Sequence, residues 1–149
     1  MKKFFRRLID FVKNKHQDLF EIFRNNSEVA VKVTHTLKNA VESPVVDIIT
    51  DIIPGDLDDK IHEKLRLIVP IVAQKLAIAH GILKQNETNS NAITAIVDYL
   101  RSPEVNVGVR ASFWIMFSGE LNKALSDDKM TLAEAVALAQ LVYTEIKQK

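Results

Sequence analysis

Apolar residues recur three and four positions apart along most of this chain, the spacing that collects side chains on one face of an α-helix. Over residues 2–25 the recurring positions are Phe4, Leu8, Phe11, Val12, Leu19, Ile22 and Phe23. They predict an amphipathic first helix, ended by Asn25-Asn26-Ser27, with Ser27 placed to cap the next one. Residues 28–42 carry Ala30, Val33, Leu37, Ala40 and Val41 on one stripe. The alternation in VAVKV (residues 29–33) also allows a strand, and Lys38 and Asn39 tip the segment toward helix.

Ser43-Pro44 reads as a helix start, with Ser as N-cap and Pro at the first helical position. The short helix that follows turns Val45, Ile48, Ile49, Ile52 and Ile53 inward and stops at Pro54-Gly55. Asp56 is placed to cap a long fourth helix, with Asp58 and Asp59 in its first turn, where the helix dipole favours negative charge. Its seam is Leu57, Ile61, Leu65, Ile68, Val72, Leu76, Ala79 and Leu83. Pro70 lies inside that seam and predicts a kink or a split near Val69.

After the polar loop at residues 85–91, a fifth helix runs through Leu100 with Ile93, Ile96, Val97 and Leu100 inward. Ser102-Pro103 repeats the start signal, but the pattern becomes firmly helical only from Val109 to Leu125. Thr131 and Glu134 fit a capping box. It opens a last helix striped by Ala135, Leu138, Val142 and Ile146. The expected fold is all-α: a single-domain bundle over residues 1–149, with six to seven helices, short connections and one long helix kinked near Pro70.

Composition agrees with that class. Four Gly and four Pro in 149 residues are too few for the tight turns of a β-sandwich or barrel. A net charge of +1 gives no general attraction to nucleic acid. The absence of Cys removes thiolate catalysis, disulfide frameworks and Cys-based zinc sites. The basic start MKKFFRRLIDFV lacks the apolar core of a signal peptide, and no stretch reaches the roughly 18 apolar residues of a membrane span.

Candidate chemistry is thin. Asp47, Asp51, Asp56, Asp58, Asp59 and His62 form an acidic cluster in sequence, and Asp47 and Asp51 share a helix face that one cation could bridge. Local duties account for the same residues: Asp56 caps, Asp58 and Asp59 complement the dipole, and Asp47 and Asp51 solvate an exposed face. The four histidines, His16, His35, His62 and His80, are scattered singly, and no Glu-x-x-His or His-Glu-x-x-His pattern occurs. SDDKMTLAE (residues 126–134) has the outline of the second half of a calcium-binding loop. Lys123 and Leu125 then fall at two ligand positions, and neither can donate a carboxylate. Phosphate-cradling loops and nucleophile elbows are missing too, so no catalytic, cofactor or metal residue is assigned and an enzyme is not expected.

Contact surfaces are the better prospect. Lys2, Lys3, Arg6, Arg7, Lys13 and Lys15 face one acid, Asp10, in the first fifteen residues, and Phe4, Phe5 and Phe11 lie among them. This basic, Phe-rich segment over residues 1–25 fits an ordinary bundle helix, docking on a partner's acidic groove, or a membrane-surface helix over residues 2–24. SFWIMF (residues 112–117) is apolar all round, which suits a central buried helix or an oligomer interface through Phe113, Trp114 and Phe117.

Two stretches, SPVVDIITDIIPGDLDDKIHEKLRLIVPIV and SDDKMTLAEAVALAQLVY, resemble small helical proteins encoded by tailed bacteriophages, especially those of gut Bacteroidetes. The resemblance covers about a third of the chain and carries over no catalytic residue. It implies a virion component or a product of a gene near the lysis cassette, located in the virion or host cytoplasm. The expectation is a non-enzymatic structural protein that contacts other virion proteins and copies of itself. The alternative is a lysis-associated accessory protein at the membrane surface.

Overall fold

A computed structural model describes residues 17–43, 52–127 and 130–148 of the chain. They form five helices: α1 (Gln17–Glu42), α2 (Asp59–Ala79), α3 (Asn89–Arg101), α4 (Val107–Leu125) and α5 (Leu132–Gln148). No strand occurs among the described residues, so VAVKV is helical. The chain groups into two compact units, one of residues 1–31 with 118–149 and the other of residues 32–117; the boundaries fall inside α1 and α4.

Six or seven helices are expected and five are described, and one reason is visible in α1. The predicted break at Asn25-Asn26-Ser27 does not occur; the helix runs through it. Ser27 is wholly buried there rather than capping a new helix. Asn and Ser in a helix interior cost under about 0.7 kcal/mol each relative to Ala. Burying one Val or Leu returns roughly 1.5–3 kcal/mol, and Val31, Val33 and Leu37 are all fully buried just beyond. Residues 44–51, which hold most of the short helix expected after Ser43, lie outside the described residues; Ile52 and Ile53 at its end are buried.

In the unit of residues 32–117, α2 packs on α3. The cap of α2 is Asp58, not Asp56: Asp58 has non-helical backbone angles, and its carboxylate accepts from the Lys60 N–H at 2.8 Å. Asp56, two residues further out, instead receives the Lys32 ammonium of α1 at 3.1 Å. The helix continues unbroken across Pro70. Pro removes the N–H that would serve the carbonyl of Arg66, at a cost of about 3 kcal/mol. Leu65, Val69, Val72 and Leu76 are buried on either side, and four such side chains outweigh that cost.

The buried face of α2 is rotated from the expected seam. Val69, Ala73 and Ala77 join Leu65, Val72 and Leu76 inside, while Leu57, Ile61 and Ile68 are only half-buried and Ala79 is exposed. The helix ends at His80. Gly81, at φ +73°, donates to Ile78 O, and Ile82 donates back to Ala77 O at 2.8 Å. This paired closure needs a left-handed residue, which glycine adopts without strain. It turns Leu83 back into the core, 8% exposed, as an element of the loop.

The stripe of α3 is as expected: Ile93, Ile96, Val97 and Leu100 are all buried. Ser102-Pro103 starts a turn rather than a helix, with Val105 N–H bonded to Ser102 O. Asn106 supplies the cap of α4, its side-chain oxygen accepting from Val109 N–H at 2.9 Å. In the other unit, α5 opens with the Thr131 hydroxyl accepting from Glu134 N–H at 3.2 Å, half of the predicted capping box. Ala135, Leu138 and Val142 are buried along α5, as their spacing predicts.

Candidate functional site

The residues singled out in sequence separate into two groups. Lys2, Lys3, Phe4, Phe5, Arg6, Arg7 and Phe11 lie outside the described residues. Phe113, Trp114 and Phe117 are at most 5% exposed on α4. Phe113 meets Trp114 edge-on with ring centroids 5.5 Å apart and stacks near Phe117 at 6.4 Å. His80, at the end of α2, sets its ring edge-to-face on Phe113 at 5.2 Å and lies 6.5 Å from Tyr99 of α3. The structure therefore brings these aromatic residues together as a packing cluster that ties α2, α3 and α4. The His80 Nε2 is buried in it without a hydrogen-bond partner.

The described acidic residues of the sequence cluster do not converge. Asp58 caps α2, Asp59 sits in its first turn, and Asp56 pairs with Lys32. The hydrogen bond and charge of Lys32 hold the Asp56 carboxyl below its ordinary value of 3.8. Asp47 and Asp51 lie outside the described residues. Among the described residues no group of three His, Asp or Glu side chains is placed to hold a metal ion. At the calcium-loop outline, Lys123 and Leu125 are part of α4, with Leu125 buried. Ser126 and Asp127, the latter at φ 60°, form a turn after α4.

What the described surface does offer is apolar. Leu67 is 73% exposed and Ile71 54% exposed on α2. Four residues apart, they stand one above the other on one helix face. Glu63 and Lys75, both exposed, continue the same row at either end. Val107 and Val109 are also exposed at the start of α4. Single exposed aliphatic residues are ordinary, but two adjacent ones on a helix face form a ridge that gains free energy when covered.

Neither Leu67 nor Ile71 belongs to the seam predicted from sequence. Their signal was present in RLIVPIV (residues 66–72), which holds more apolar residues than one helical stripe can bury.

Comparison with protein-family models, curated proteins and solved structures returns no match. Among the described residues no helix is long and apolar enough to cross a membrane.

Proposed function

We propose that this chain is a non-enzymatic structural protein that acts by protein–protein contact, as a component of a tailed-phage particle present in several copies. The observation that carries this reading is the apolar pair Leu67 and Ile71, left on the surface of α2 by a helix that already buries a full opposite face. The resemblance of residues 43–72 and 126–143 to small phage-encoded helical proteins supplies the setting. Cross-linking of intact particles through lysine, followed by mass spectrometry, tests it. Lys60, Lys64 and Lys75 should couple to a second polypeptide. A chain recovered without any intermolecular cross-link would overturn the assembly role.

A second reading rests on the charge of the first fifteen residues, six bases against one acid. Such a segment, interleaved with Phe4, Phe5 and Phe11, suits adsorption to an anionic membrane surface. Co-sedimentation with anionic vesicles should then be lost on deleting residues 1–15, and binding that survives the deletion excludes this reading.

A further inference from the structure

We infer that the exposed ridge of α2 is a self-complementary contact through which two copies of this chain pack antiparallel about a twofold axis. The inference rests on the protein-contact reading above and names the partner. Its basis is the arrangement of charge and apolar side chains on one row, Glu63, Leu67, Ile71 and Lys75, spaced four residues apart along a helix that is continuous from 59 to 79.

An isologous contact places each residue of one copy against a fixed residue of the other, and the reverse pair follows by symmetry. With the axis passing midway between Leu67 and Ile71, Leu67 of each copy meets Ile71 of the other. The same axis sets Glu63 opposite Lys75, twice. A parallel pairing would instead put each residue beside its own copy, with Glu63 near Glu63 and Lys75 near Lys75. Charge thus selects the antiparallel arrangement. The row is short, which places the contact among small, reversible interfaces rather than obligate ones.

Sedimentation velocity of the purified full chain, from micromolar to millimolar at low salt, tests this. The average mass should rise toward two chains with concentration. Leu67→Asp with Ile71→Asp should hold the protein at one chain. Glu63→Lys and Lys75→Glu should each weaken association on the order of tenfold, because each creates two like-charged pairs. The combined Glu63→Lys/Lys75→Glu variant, which rebuilds both pairs with reversed polarity, should restore it. All four positions are exposed, so unchanged far-UV circular dichroism is expected, and Leu67→Ala with Ile71→Ala serves should the aspartates perturb the helix. A wild-type chain that stays monomeric throughout, association indifferent to Leu67 and Ile71, or a combined swap that fails to restore it would each overturn the inference. A monomer in isolation that cross-links to a different protein in particles would overturn the dimer while leaving the assembly role intact.

Discussion

Gly119 of α4 and Val136 of α5 approach so closely that a single methyl group on the glycine has no room. A Cβ at position 119 would lie 2.6 Å from Val136 Cγ2 and 2.9 Å from Val136 Cα. The first contact could be relieved by turning a side chain. The second is to backbone, so relief requires the two helices to separate.

Gly119→Ala is therefore expected to destabilise the chain. Alanine favours a helix over glycine by up to about 1 kcal/mol, but forced separation of packed elements costs about 1–3 kcal/mol. The contact of the Asn122 amide of α4 with the Met130 sulfur, in the same unit, would loosen as the helices part. Denaturant unfolding should show a net loss of up to about 2 kcal/mol, recovered only partly by adding Val136→Ala. Equal or greater stability of Gly119→Ala would contradict the close approach.

Asn122, three residues further along α4, is fully buried. Its amide nitrogen reaches only the Met130 sulfur, at 3.8 Å, and its side-chain oxygen has no partner. A desolvated amide so poorly served costs more than an apolar group of similar volume. Asn122→Leu should raise stability by about 1 kcal/mol, whereas Asn122→Asp, which buries a charge, should lower it by several. Thermal melts of the two variants beside the wild type decide the matter, and a loss for Asn122→Leu would show that the amide is satisfied in solution.

Position by position, these features differ in how far the amino-acid sequence announces them. The α3 stripe is legible because its apolar residues occupy one face and nothing else competes. The α2 seam is not, since Leu65, Leu67, Ile68, Val69, Ile71 and Val72 surround the helix and periodicity cannot choose which of them faces inward. That ambiguity hides the candidate contact ridge. The break expected at residues 25–27 reflects local cap preference, which burial of the neighbouring turns overrides. Asp56 and Asp58 are equally good caps by type, and only the path of the chain gives one the helix and the other Lys32. Ser118, Glu120 and Asn122 are buried polar residues on a helix surrounded by packing, and no local pattern marks them.

The Lys32–Asp56 pair links α1 to the turn before α2, with both side chains more than half exposed. Because Lys32 lowers the Asp56 pKa in the folded state, the pair contributes stability above the ordinary carboxylate range and loses it as pH falls through the lowered value. Lys32→Met should thus be less stable than the wild type at neutral pH by a small, salt-sensitive margin. The margin should vanish in acid, once Asp56 is protonated in both proteins. Stability measured against pH for the two chains reads this directly, and a margin that grows toward acid would reverse the assigned sign.

Arg101, in the last turn of α3, reaches the end of α1: its Nε donates to Val41 O at 2.9 Å and its Nη2 donates to Ser43 O. The last carbonyls of a helix lack intrahelical donors and carry the negative end of its dipole. A guanidinium answers both needs, since it brings a positive charge and two donors at a fixed angle. Arg101 is exposed to solvent, which weakens the charge contribution. The expected loss for Arg101→Met is therefore about 1 kcal/mol, below the roughly 1.5–3 kcal/mol of hydrogen bonds to charged groups because of that exposure. Arg101→Lys keeps the charge but loses the fork and should recover roughly half of that. Hydrogen exchange locates the effect: amides in the last turns of α1 should exchange faster in Arg101→Met, with α5 unchanged. Unaltered exchange across residues 36–43 would mean that this end of α1 is held by something other than Arg101.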